Sequence, residues 1–236
     1  MSGYERFYEE SLYPLQNGIL RTLAPVCGSV LSLTGGTALS RIYFHHRYSD
    51  DLDLFGNSVE HFNEIVETSL SALENAGYQF VKGSIIRHEA YTQAVVRDGG
   101  TNLKLDFVND VAAHFGECIA HPLYPRIDPV RNILSNKLTA LYRLEPKDIA
   151  DLYFIACSYQ FDWAVALQEA ESKEAGLDAI TIADIISTFP RDMFKAIKWR
   201  ITPNPDDFFK NLTIMALDIL HTRLNSLAKA GSDPLF

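Results

Sequence analysis

The sequence predicts an α+β protein in two parts, a mixed α/β half over residues 1–125 and an all-helical half over 126–236. Three observations carry this. Runs of period two occur only before residue 128, runs of period 3.6 dominate after it, and a Gly-Gly turn lies between a strand and a helix near the start. The 236 residues are 47% hydrophobic and 22% charged, with a mean hydropathy of -0.04, which excludes disorder and leaves enough apolar material for a sizeable core. Cys27, Cys118 and Cys157 are odd in number and lack CxxC spacing, so a reducing cytoplasm is expected rather than a disulfide framework or a zinc knuckle. No run approaches about 18 apolar residues and the N-terminus is acidic, so no membrane partner is expected. A formal charge of -9 argues against gripping nucleic acid through overall field, though a local basic groove is compatible with it.

In chain order, residues 5–24 read as a helix, 30–34 as a short strand ending in Gly35-Gly36, and 37–45 as a second helix. Residues 51–55 read as a strand and 60–75 as a helix closed by Gly77. Strands are expected at 78–82, 91–97 and 102–108, the last two joined at Asp98-Gly99-Gly100 as a hairpin. Helices are then expected at 129–143, 146–159, 162–174, 178–187, 190–199 and 206–229.

The stretch that speaks to chemistry is Asp51-Leu52-Asp53-Leu54. On a strand Asp51 and Asp53 share one face while the leucines enter the core, and two like charges so placed call for solvent or a cation. On the later strand Lys104, Asp106 and Val108 share a face opposite Leu103, Leu105 and Phe107. If the two strands are neighbours, three carboxylates converge and can hold two Mg²⁺ ions through oxygen ligands. Gly35-Gly36 offers the complement, because a turn without Cβ atoms at a helix start lets a triphosphate reach backbone N–H groups, and Thr37 adds a hydroxyl. Taken singly, Gly-Gly is an ordinary turn and Asp-Asp-Leu-Asp an ordinary exposed edge. An EF-hand is excluded, since a loop starting at Asp51 puts Phe55 and Phe62 at ligand positions, and neither GxxxxGK[ST] nor GxGxxG occurs. His45 and His46, adjacent on a helix, cannot both face one site.

In the helical half, Lys137 falls inside the apolar arc of its helix, between Ile133 and Leu141, where an ammonium must snorkel or meet an anion. The next helix places Asp148 and Asp151 on the face of Leu152 and Ile155. Two readings stay open: Lys137, Arg143 or Lys147 pairs with these acids and pins two helices, or Lys137 reaches a triphosphate while the acids orient it. From Arg126 to Lys147 five bases face two acids, a strip suited to a nucleotide or RNA backbone or to plain solvation. Trp163 and Trp199 are expected in the core.

Taken together, Gly35-Gly36-Thr37-Ala38-Leu39, Arg47-Tyr48-Ser49, Asp51-Leu52-Asp53-Leu54 and Lys104-Leu105-Asp106-Phe107 resemble the DNA polymerase β-like nucleotidyltransferases. More narrowly they resemble the AbiEii group, toxins of type IV toxin-antitoxin and abortive-infection systems. Lys137 to Arg143 followed by Lys147-Asp148-Ile149-Ala150-Asp151-Leu152 is similar to that group's Lys…Arg…(Arg/Lys)-Asp-x-x-Asp-Leu motif. The resemblance implies a polymerase β-like mixed sheet and transfer of a nucleoside monophosphate from an NTP to an acceptor hydroxyl, with release of pyrophosphate. Asp51 and Asp53 would bind both metals and Asp106 would complete the nucleophile-side one. Gly35, Gly36 and Thr37 would hold the β and γ phosphates, with Arg47 or Ser49 assisting. Lys137 would neutralise the leaving pyrophosphate, and Asp151 belongs to the same nucleotide-handling signature. By resemblance the acceptor is tRNA and a cognate antitoxin is the expected partner. A small-molecule nucleotidyltransferase of the antibiotic-modifying kind, compatible with the acidic pI of about 5.2, and a non-catalytic nucleotide-binding module are the alternatives.

Overall fold

The computed structural model describes residues 3–229 and 231–235. The chain divides into two compact units, the first made of residues 1–38, 49–112 and 117–128, the second of 39–48, 113–116 and 129–236. The boundary expected at 125/126 falls inside a strand of the first unit, and two short segments from the first half of the sequence belong to the second unit.

The first unit is built on one mixed sheet. Its strands are β1 (Ser32–Leu33), β2 (Leu52–Asn57), β3 (Gln79–Phe80), β4 (Ile86–His88), β5 (Tyr91–Asp98), β6 (Thr101–Asp110), β7 (Ile119–His121) and β8 (Tyr124–Ile127). They lie in the order β3-β5-β6-β2-β1-β8-β7, with β4 also on β5. β5 and β6 form the expected hairpin, turning through Gly99, whose φ of +54° favours a residue without Cβ. The central pair, β2 and β6, is parallel. Helices α1 (Gly3–Phe7), α2 (Tyr13–Cys27), α3 (Gly35–Ala38) and α4 (Phe62–Asn75) complete the unit, a π-helical turn at Tyr8–Leu12 joining the first two. Ile19, Leu20 and Leu23 of α2 and Val66, Leu70 and Leu73 of α4 are buried with Leu52, Leu54, Leu103, Leu105 and Phe107 of the central strands. Each such side chain removed from water contributes about 1.5–3 kcal/mol, and this burial is what holds the register of β2 and β6.

β4, β7 and β8 were not expected. β8 carries Pro125, an unusual residue for a strand, and it is tolerated because β8 is tied to β1 only through Ile127 and to β7 across an irregular register.

The second unit contains α5 (Val130–Ala140), α6 (Pro146–Ser158), α7 (Trp163–Glu171), α8 (Ala179–Ser187) and α9 (Pro205–Leu220), with a π-helical turn at Leu39–Tyr43 and 3₁₀ turns at Leu141–Arg143 and Met193–Ala196. Asp162, Asp178 and Asn204 cap α7, α8 and α9 with side-chain oxygens, satisfying first-turn N–H groups. The helix expected at 190–199 is a single 3₁₀ turn followed by extended chain, because Trp199 bridges to Arg47 and the Lys198 carbonyl accepts from the Tyr48 N–H. The helix expected at 206–229 stops at Leu220. Asp218 accepts from the backbone and hydroxyl of Ser226, and the buried Asn225 donates to the Ala156 and Tyr159 carbonyls at the end of α6, so the chain turns back. Trp163 is fully buried and Trp199 donates its indole N–H to the Phe194 carbonyl.

Candidate active site

The strand pair β2–β6 brings the expected acids together. Their register sets Leu52 beside Leu105 and Asp53 beside Asp106, so the leucines lie in the core and the two carboxylates stand next to each other on the opposite face. One step back along the same face, Asp51 takes the row of Lys104. The Lys104 Nζ lies 2.6 Å from Asp106 Oδ2 and 3.8 Å from Asp51 Oδ2. Partial burial works against this ammonium, but the Asp106 hydrogen bond and the charges of Asp51, Asp106 and Asp53 outweigh it and raise its pKa, so all three acids act on one point. From β5, the Tyr91 hydroxyl donates to Asp106 Oδ1 at 3.0 Å. Partial burial and the neighbouring Asp106 push that phenol up to about 12.

The glycine turn is stitched to the acid strand. Gly35 has φ +64°, and a Cβ there would lie 2.7 Å from Asp53 Oδ2, so both conformation and space require glycine. The Thr34 N–H donates to the Asp53 carbonyl at 3.0 Å, and the Thr34 hydroxyl donates to the buried carboxylate of Asp128. Gly36 follows Gly35 in the single turn of α3. Thr37 is fully buried. Its hydroxyl donates to the Asp51 carbonyl and lies 3.0 Å from Ser49 Oγ, while the Ser49 carbonyl accepts from Gln16. Thr37 and Ser49 therefore fix the approach of the chain to Asp51.

Arg47, Lys137 and Asp151 belong to the second unit and form a buried charge cluster there. Lys137 Nζ lies 2.6 Å from Asp148 Oδ1 and 2.6 Å from Asp151 Oδ2. Arg47 grips Asp151 with both arms, Nε and Nη2 each at 2.7 Å, and His46 Nε2 donates to Asp151 Oδ1 at 2.8 Å. Arg143 reaches Asp148 from the rim at 3.3 Å. Burial alone would raise the Asp151 carboxyl, but Arg47 and Lys137 outweigh it and hold it well below the usual range. Burial lowers His46, whose Nδ1 has no hydrogen-bond partner. Of the two open readings of Lys137, the ion pairs with Asp148 and Asp151 are formed.

Sequence reasoning passed over Lys104, Tyr91 and Asp128. Lys104 was legible, because it shares the face of Asp106 two residues earlier. Tyr91 and Asp128 were not, since each reaches the site through strand neighbours that no local pattern specifies. His46, considered only as a metal ligand, holds Asp151 instead.

A family profile described as "Nucleotidyl transferase AbiEii toxin, Type IV TA system" matches residues 19–210. No curated protein matches the chain. Among solved structures, a crystal structure from H. pylori provisionally named a nucleotidyltransferase is similar at 18% identity, with a TM-score of 0.51 over 87% of this chain and 93% of that one. JHP933 from Helicobacter pylori is similar at 18% identity, with a TM-score of 0.49 over 86% of this chain and 90% of its own. At such identity the first likeness concerns the fold, a mixed sheet with helices. The profile reaches from α2 to α9, taking in the glycine turn, the paired acids and the Lys137 motif. The chain therefore belongs to the AbiEii family of nucleotidyltransferase toxins.

Proposed function

We propose that this nucleotidyltransferase moves a nucleoside monophosphate from an NTP to a hydroxyl of tRNA, with Mg²⁺ as cofactor, and that it is the toxin of a type IV system with a cognate antitoxin. The observation that carries the chemistry is the in-register pair Asp53–Asp106 beside the Gly35 turn. The donor set suits a hard divalent ion: carboxylate oxygens on one face, with the Lys104 ammonium already standing where a cation is wanted. Mg²⁺, as two ions, would make the acceptor hydroxyl more acidic and screen the phosphates.

In this reading Asp51, Asp53 and Asp106 hold the cations, and Asp106 orients the acceptor oxygen. Gly35 and Gly36 let the β and γ phosphates approach the backbone, where a side chain would block them. Thr37 and Ser49 act through position, Thr37 bonding to the Asp51 carbonyl and Ser49 to Thr37. By the family resemblance Lys137 and Asp151 belong to the nucleotide-handling signature, and within the second unit Asp151 holds both Lys137 and Arg47 in place.

The test is incubation of the protein with each labelled NTP, Mg²⁺ and total tRNA, followed by separation of the RNA. Label on intact tRNA with Asp53→Asn and Asp106→Asn inactive supports the proposal. Label on small molecules alone, or on tRNA equally with both variants, overturns the acceptor or the site respectively.

A further inference from the structure

On one face of the sheet Asp51 and Asp106 share the ammonium of Lys104. Lys104 Nζ touches Asp106 Oδ2 and lies within ion-pair distance of Asp51 Oδ2, while the Tyr91 hydroxyl takes the other oxygen of Asp106. An incoming divalent ion that uses Asp106 competes with these partners for its oxygens, and Lys104, the charged one, also repels it. Its side chain is 36% exposed, so the ammonium can withdraw into water along its four-carbon stem. The other lysine that bridges two aspartates, Lys137, is 8% exposed between fully buried acids and has no such route.

Resting on the transferase reading, we propose that Lys104 is the built-in counter-cation of the acid row: it holds the cation seat between Asp51 and Asp106 and must be displaced for a divalent ion to load. Two consequences follow from charge alone. Without nucleotide, divalent binding is weak, because each ion admitted expels an ammonium from a favourable pair. With a triphosphate present, the expelled ammonium has an anion to meet, so metal and NTP each strengthen the other's binding, and the coupling is reciprocal. Lys104 is thus a positioning residue that makes cation loading contingent on the nucleotide.

The experiment is calorimetric titration of Mn²⁺ into the full chain, wild type against Lys104→Gln, Lys104→Ala and Lys104→Arg, alone and with α,β-methylene analogues of the four NTPs. Lys104→Gln and Lys104→Ala are expected to bind Mn²⁺ on the order of tenfold more tightly than wild type without nucleotide, and to gain less from the analogue. Lys104→Arg, which keeps the charge, is expected to stay with wild type. Thermal melts supply a second readout: the two neutral variants should melt lower than wild type without metal and recover more on adding Mn²⁺. Equal or weaker Mn²⁺ affinity in the neutral variants overturns the Lys104 proposal and leaves the transferase reading standing. Absence of Mn²⁺ binding in every protein, with and without nucleotide, sinks both.

Discussion

Among the described residues, Lys104 and Lys137 each bridge two aspartates, and their surroundings differ. In the first unit Lys104 sits on an open sheet face with Asp51 and Asp106, half in water. In the second, Lys137 lies with Asp148 and Asp151 among packed helices, the acids fully buried and Asp151 also gripped by Arg47 and His46. Charge and residue types are nearly the same, yet burial separates the roles. An exposed pair is worth little and exchanges partners readily, whereas breaking a buried pair strands a charge in low dielectric. The sequence motifs that carry the two lysines do not distinguish them.

The comparison is broken most forcefully in the second unit. Asp151→Ala leaves Arg47 and Lys137 without their shared anion and should cost about 3–5 kcal/mol. Urea unfolding followed by tryptophan fluorescence reads this directly, because both tryptophans, Trp163 and Trp199, lie in that unit; a loss below about 1 kcal/mol would mean that the cluster rearranges or admits water. Asp106→Asn should do the opposite. The expected loss is about 10²–10³-fold in transfer rate, or roughly 3–4 kcal/mol of barrier, with the tryptophan unfolding midpoint unchanged. A large shift of that midpoint would show that the acid row is structural as well.

Gly35→Ala sharpens the picture of the first unit. It places a Cβ 2.7 Å from Asp53 Oδ2 on a backbone with φ +64°, so a stability loss of about 1–3 kcal/mol is expected together with reduced NTP binding. Normal NTP affinity in a folded Gly35→Ala would separate the turn from the nucleotide.

The smallest effect is in pH. His46 is held below its usual value by burial, so the unfolded chain takes up a proton that the folded chain refuses. Its stabilising contribution is complete above about pH 6.5 and falls as the pH drops, by at most about 1.4 kcal/mol per unit. Asp151, held well below its usual range, adds a second loss only when the pH falls beneath the ordinary carboxylate value near 4. Tryptophan-monitored stability should therefore decline between pH 7 and 5 in the wild type and less in His46→Asn. A flat profile would contradict the neutral, buried imidazole.

How much was legible in advance varies by region. The hairpin at Gly99, the acid strand and the helices α4 to α8 lie within a few residues of the patterns that predict them, because each is specified by its own period, and α7 and α8 also by their caps. β8 was hidden by Pro125, and the ends of the chain's last two expected helices were decided by partners far away, Arg47 for Trp199 and the end of α6 for Asn225. At the site, the alternation of Asp51 and Asp53 and the shared face of Lys104 and Asp106 could be read directly. That Lys104 also reaches Asp51, that Tyr91 holds Asp106, and that Asp128 braces Thr34 could not.

By itself the amino-acid order determined which carboxylates lie on a polar face and which leucines oppose them, since strand alternation is a local property of the backbone. Only the tertiary structure decided that residues 53 and 106 stand side by side. That choice belongs to the pairing of β2 with β6, where a slip of β2 by one residue would have turned Leu52 and Leu54 to water and Asp53 into the core. The same holds for Lys137. Its place in an apolar arc can be read from helical spacing, but its partners are set by α6 and by the segment carrying His46 and Arg47, and these make it an interior ion pair where Lys104 stays exchangeable.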